Sequence, residues 1–159
     1  MDGTFAGLPA GAHGLHFHTV GACTPTFDAA GGHYNPTQRQ HRFNNPQGVH
    51  AGDLPNLEIG ADGTGTYRTV TDRITLEQGA ANTVYDADGT SLMVHANADD
   101  YVTDPTGNSG GRIACGVVEA AQAPRLPATG GNGAVVWPWL AGVAGAVLGS
   151  GVLLRRTRA

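Results

Sequence analysis

Between His16 and Asp53 the chain places five of its seven histidines, His16, His18, His33, His41 and His50, with Asp53 three residues after the last. Imidazole nitrogens and a carboxylate are donor types that hold zinc and copper, and this density in one short span exceeds what packing alone would produce. A seventh candidate donor, His95, comes from a distant stretch. Strand alternation over residues 13–19 puts His16 and His18 on one face, so that both rings can reach one ion, with Phe17 on the other. Seven donor groups are too many for one tetrahedral site, which calls for two ions or a shared ligand. A carboxylate in the set favours zinc over Cu(I) at that position.

The elements that must hold these groups read as short strands. Residues 13–19, 54–59, 66–76, 90–96 and 112–119 are strand candidates, and the turn signal at 61–65 makes a hairpin of the second and third. Residues 20–53 run through Gly, Pro, Asn, Asp and His with little apolar period, and a loop of that length is usually functional. Residues 1–12 show no hydrophobic period and read as a connection. The reading is an all-β domain over residues 1–122 with about five strands and no helix, in keeping with 25 glycines and nine prolines.

Charge narrows the partners. The chain has no lysine, and up to residue 129 six arginines face thirteen acids, a balance of −7. Such a body has no electrostatic reason to bind nucleic acid. Two cysteines, Cys23 and Cys115, allow one disulfide or two buried thiols, and export would favour the disulfide.

Residues 123–159 change character. Leu126–Gly130 spell LPATG, residues 130–154 carry no charge, and Arg155, Arg156 and Arg158 follow. The apolar part, about 134–154, is long enough for a membrane-spanning helix of ~20 residues, with Trp137 and Trp139 near its outer end and the arginines on the cytoplasmic side. Pentapeptide, span and basic tail resemble the sorting signal of Gram-positive surface proteins. That resemblance implies cleavage by sortase between Thr129 and Gly130, attachment to peptidoglycan, and an extracellular, wall-anchored domain held only transiently in the membrane. An ordinary membrane anchor is the alternative, and it too puts the domain outside.

HGLHFH (13–18), GGHYNP (31–36), His41, HAGDLPNL (50–57), MVHANADD (93–100) and GNSGGRIACGVV (107–118) together resemble the copper/zinc superoxide dismutases over about residues 7–119. The resemblance implies a Greek-key β-barrel that binds copper through His16, His18, His33 and His95 and zinc through His33, His41, His50 and Asp53. His33 would bridge the two ions. It further implies that Asp99 links His16 to His41 from outside, that His13 is structural, that Arg112 attracts the superoxide anion, and that Cys23 pairs with Cys115. The implied reaction dismutes superoxide to oxygen and hydrogen peroxide with copper cycling between Cu(II) and Cu(I), zinc polarising His33 and His33 donating a proton.

Two departures from the family shape the expectations. Family members carry about three strands before the stretch that matches residues 13–18, where this chain has twelve residues and no signal peptide. The expectation is an N-terminally incomplete barrel, as from a start assigned too far downstream. The loop before Arg112 holds Asp99, Asp100 and Asp104 and no lysine, so long-range guidance of an anion should be weak. A non-enzymatic copper- or zinc-buffering wall module and an adhesive wall domain are the rival functions. Arg112, Asp99 and a shared His33 argue for the enzyme, because buffering needs none of them.

Overall fold

The computed structural model describes residues 1–41, 43 and 47–120. Among them are seven strands, β1 (Asp2–Ala6), β2 (Gly11–His13), β3 (Leu15–His18), β4 (Leu57–Ile59), β5 (Thr64–Arg68), β6 (Ser91–His95) and β7 (Arg112–Val117), with one 3₁₀ turn at Phe27–Ala30. The all-β reading stands, but the strand count and the role of the N-terminal residues are corrected. Residues 1–12 are not a bare connection: β1 pairs antiparallel with β5, from Asp2 opposite Arg68 to Ala6 opposite Thr64. Its inward positions are Gly3 and Phe5, so a single large apolar residue marks the buried face and no period shows.

The expected hairpin is also corrected. Its turn exists, closed by Gly63 N donating to Gly60 O at 2.9 Å and Gly60 N donating to Thr64 O at 2.8 Å. Its arms then part: β4 pairs with β2 and β5 with β1, and β5 ends at Arg68, short of residues 69–76. The third sheet runs β3, β6, β7, all antiparallel. Among the described residues β1 and β7 each have one strand neighbour. No helix of the described residues is long and apolar enough to cross a membrane. The expected span at about 134–154, the LPATG motif and the Thr129–Gly130 cleavage point lie outside them.

Every residue of β3 is buried. Leu15 and Phe17 enter a core with Tyr34, Leu54, Leu57, Ile59, Tyr67 and Val94, while the alternate His16 and His18 face the other way. Burying each large apolar side chain contributes ~1.5–3 kcal/mol, which anchors the strand against the cost of holding two imidazoles out of water. The long loop is sewn onto β3 by backbone: Tyr34 N donates to Phe17 O (2.8 Å), Gly52 N to Tyr34 O (2.8 Å) and Phe17 N to Gly52 O (2.9 Å). A side chain at Gly52 would collide with Phe17 O and Tyr34, so only glycine permits that approach.

Candidate metal centre

Two four-residue sets converge where β3, β6 and the loop meet. In the first, His16, His18, His33 and His95 each offer one nitrogen, and in the second His33, His41 and His50 offer nitrogens and Asp53 an oxygen. Within each set the atoms lie within 4.8 Å of one another, and His33 belongs to both. The sequence-predicted donors are thus brought together in the two groups expected.

The outward nitrogen of most rings has a fixed acceptor. His18 Nδ1 donates to Gly31 O at 2.9 Å, His95 Nδ1 to Gly110 O at 3.1 Å, and His16 Nε2 and His41 Nε2 to the two oxygens of Asp99 at 2.7 and 2.9 Å. For His16, His18 and His95 these bonds choose the tautomer and turn the other nitrogen's lone pair inward. His18 Nε2 and His95 Nε2 then face each other at 3.4 Å, two acceptors with no proton between them. His16 Nδ1, His33 Nε2 and His41 Nδ1 are buried without a hydrogen-bond partner. His41 Nδ1 does lie 2.9 Å from Asp53 Oδ2, at ion-pair distance but without hydrogen-bond alignment. Around Asp53, His33 Nδ1 stands at 2.8 Å and His50 Nδ1 at 3.3 Å, and these two nitrogens are 3.4 Å apart. Buried lone pairs aimed at one another are costly unless a cation sits among them. One all-nitrogen set and one nitrogen-plus-carboxylate set fit copper and zinc respectively.

Electrostatics separates the two halves. Burial lowers His16 to about 4 and His18 to about 3, and also lowers His95 despite its bond to Gly110, so these three rings are neutral and ready to ligate. Burial would lower His41 as well, but its contacts with Asp53 and Asp99 outweigh it and raise the ring to about 9. Burial would raise both aspartates. Hydrogen bonds from His33 and His50 and the close His41 ring nevertheless hold Asp53 far below the usual carboxylate range, and His16, His41 and Tyr101 N hold Asp99 well below it too. Without metal, His41 is the positive charge between two carboxylates.

Asp99 is held in turn. Its backbone N donates to Asn56 Oδ1 (2.8 Å), Asn56 Nδ2 donates to its carbonyl (2.9 Å), and Gly107, at φ +61°, packs so closely on its carboxylate that a Cβ there would overlap it. Arg112 lies at the rim of a cleft of about 320 Å³ lined by His18, His33, His95 and Thr106. Its guanidinium donates to Phe27 O and Gly31 O, each at 2.6 Å. Cys23 and Cys115 form a disulfide that ties the loop to β7. His13 takes no part in either set: its ring nitrogens lie 2.8 Å from His95 O and 2.9 Å from Pro9 O, a structural position. Asn56 and the carbonyl of Gly31 have no signal in residue spacing, because the first is one polar residue just before β4 and the second is backbone.

Residues 1–118 match the family model described as copper/zinc superoxide dismutase. Similar proteins include the superoxide dismutase-like protein YojM of Bacillus subtilis, 46% identical over 111 residues (69% of this chain, 57% of the relative). The superoxide dismutase [Cu-Zn] 2 of Aquifex aeolicus is 43% identical over 114 residues, covering 70% of this chain and 67% of the relative. The chain thus spans little more than half the length of one curated relative and about two thirds of another. Among solved structures, the SOD-like protein from Bacillus subtilis superposes with a TM-score of 0.65 at 44% identity, covering 72% of this chain and 77% of the other. The clock protein EA4 reaches 0.63 at 33% identity, covering 73% and 74%.

Proposed function

The chain belongs to the copper/zinc superoxide dismutase family, and we propose from that membership and from the centre's geometry that it dismutes superoxide: two superoxide anions and two protons give one O₂ and one H₂O₂. The observation that carries this reading is His33, shared by both donor sets and lining the same cleft as Arg112. Copper held by His16, His18, His33 and His95 would supply the one-electron couple, and zinc would be held by His33, His41, His50 and Asp53.

Arg112 draws the anion into the cleft, its charge fixed at the rim by Phe27 O and Gly31 O. His33 Nε2, buried and unpartnered, is the atom placed to carry a proton toward the departing peroxide. Asp53 holds the other nitrogen of that ring at 2.8 Å and so keeps Nε2 turned to the cleft. Asp99 keeps His16 and His41 in register from opposite oxygens.

The cell-surface location rests on the sequence of residues 126–158: a sortase would join Thr129 to peptidoglycan and release Gly130 with the apolar run and basic tail. Incubation with a sortase and an amine nucleophile should release the fragment that begins at Gly130; an uncut chain would remove that part of the reading without touching the chemistry.

A second reading, a metal-binding module without dismutase activity, is favoured by one observation: a relative 46% identical is named only superoxide dismutase-like. The test is direct. Copper- and zinc-loaded protein should consume superoxide, Arg112→Ala should slow it by about tenfold or more, and His33→Ala should slow it further. Absence of activity in protein that has taken up both metals would leave the binding module standing.

A further inference from the structure

Arg73 lies outside both donor sets, yet it grips one of them. Its Nη2 donates to the backbone carbonyl of Asp53 at 2.6 Å. Asp53 sits in a tight turn with His50, Asp53 N donating to His50 O (3.2 Å) and His50 N donating to Asp53 Oδ2 (3.0 Å). That turn carries two of the four zinc-side donors. Backbone bonds of Gly52 with Tyr34 and Phe17 already tie it to β3, and the bond from Arg73 adds a side-chain hold at Asp53 itself.

Arg73 is itself immobilised. Asn82 Nδ2 donates to its carbonyl (3.0 Å), and Thr75 N to Asn82 O (3.0 Å) and Val84 N to Thr75 O (3.1 Å) close the strap around it. The far end of the strap is held to the metal loop by Tyr34 OH, which donates to Thr83 O at 2.7 Å. The guanidinium lies over the Phe43 ring, 5.7 Å from its centroid, and Phe43 packs edge-on against Tyr101. Tyr101 N donates to Asp99 Oδ1 at 2.7 Å, so one side chain reaches the zinc-side turn directly and the Asp99 linker through two rings. An arginine suits the task because its planar fork can hold a carbonyl at its edge while its face lies on an aromatic ring.

We propose that Arg73 is a positioning residue for Asp53, fixing the zinc-side donors through the Asp53 backbone; the proposal rests on the reading of His33, His41, His50 and Asp53 as a metal set. The test uses the whole chain with Co²⁺ as the probe, followed by its visible absorption, in wild type, Arg73→Gln, Arg73→Lys and Asn82→Ala at a temperature where circular dichroism shows each folded. Arg73→Gln should weaken Co²⁺ binding about 10- to 100-fold, the range for loss of an outer partner of a metal ligand, and alter the absorption band. Arg73→Lys, whose ammonium can reach the same carbonyl, should recover part of the loss. Asn82→Ala, which loosens Arg73 without removing it, should fall between wild type and Arg73→Gln. Affinities within twofold of wild type, even with a lower melting temperature, would overturn the proposal by showing a purely structural role. A wild-type chain that takes up no Co²⁺ would overturn the metal-set reading itself, and the positioning role with it.

Discussion

His18 and Arg112 donate to the same atom: Gly31 O accepts from His18 Nδ1 at 2.9 Å and from Arg112 Nη2 at 2.6 Å. The residue that supplies charge at the cleft therefore also sets the acceptor that orients a copper-side ring. Arg112→Lys keeps the charge but cannot hold Phe27 O and Gly31 O together. If charge were all that mattered, lysine would restore the wild-type rate. The expected outcome is a partial loss, roughly three- to tenfold against tenfold or more for Arg112→Ala, with a shifted visible band of the Cu(II) protein in both variants. A full rate and an unmoved band in Arg112→Lys would reduce the arginine to a point charge.

The donor sets are legible in the sequence because ligand chemistry uses few residue types, and strand alternation alone places His16 beside His18. Asp99 is legible only through family resemblance, since a carboxylate 83 residues from His16 is not tied to it by any local period. Arg73 and Asn56 stay hidden because their partners are backbone atoms, which every residue carries. The same holds for the sheets. The turn at Gly60–Gly63 is local chemistry and can be read, whereas the choice of β1 by β5 and of β2 by β4 is decided by long-range packing that no turn residue encodes.

The field at the cleft should limit the rate. Asp100 is exposed and Asp104 half-exposed, beside Pro105 and Thr106 of the cleft wall, and the described residues hold no lysine to offset them. Superoxide capture should stay below the diffusional ceiling of ~10⁸–10⁹ M⁻¹s⁻¹ or depend strongly on salt. Asp100→Asn, which touches no donor, should raise the low-salt rate by roughly two- to threefold. A wild-type rate at the ceiling that barely responds to salt would refute this.

Gly107 is where the Asp99 linker is most exposed to a single change. At φ +61° a side chain is strained already, and its Cβ would meet the Asp99 carboxylate and lie 2.7 Å from His41 Nε2. Gly107→Ala should push Asp99 off both rings and weaken binding on the copper and zinc sides together, by about 10- to 100-fold each. Competition titrations with chelators would read it. A loss confined to one metal would mean that Asp99 serves one ring rather than two.

Stability of the metal-free protein should peak near pH 6.5. Below that, His16 and His18, lowered to about 4 and 3 by burial, stay neutral in the fold while the unfolded chain takes up protons, so stability drains as the pH falls from 6.5 toward 3. Asp99, held well below the usual carboxylate range by His16 and His41, adds a loss that sets in as the pH falls through the ordinary carboxylate value of 3.8. Above 6.5 the sign reverses for His41. Its folded value is raised to about 9, so the stability its charge supplies between the two aspartates is lost as the pH climbs from 6.5 through 9. Zinc on His41 would replace that proton, so loading should flatten the alkaline limb and release a proton at pH 7.5. Melting temperatures across pH, with and without zinc, decide it; identical alkaline limbs would show that His41 is not the group responsible.

The disulfide joins residues 92 positions apart and should matter to the site as well as to the fold. Closing so long a loop contributes ~4–5 kcal/mol in the chain-entropy model, an upper figure because residual denatured structure reduces it. Cys23 also lies just before Phe27–Gly31, whose carbonyls hold Arg112 and His18. Reduction, or Cys23→Ser with Cys115→Ser, should lower the melting temperature and free that segment, so that the rate falls and the Cu(II) band broadens even in the folded fraction. The two effects separate by temperature: well below the melting point, a pure entropy clamp would leave rate and spectrum unchanged, whereas a clamp that also aims Arg112 would not.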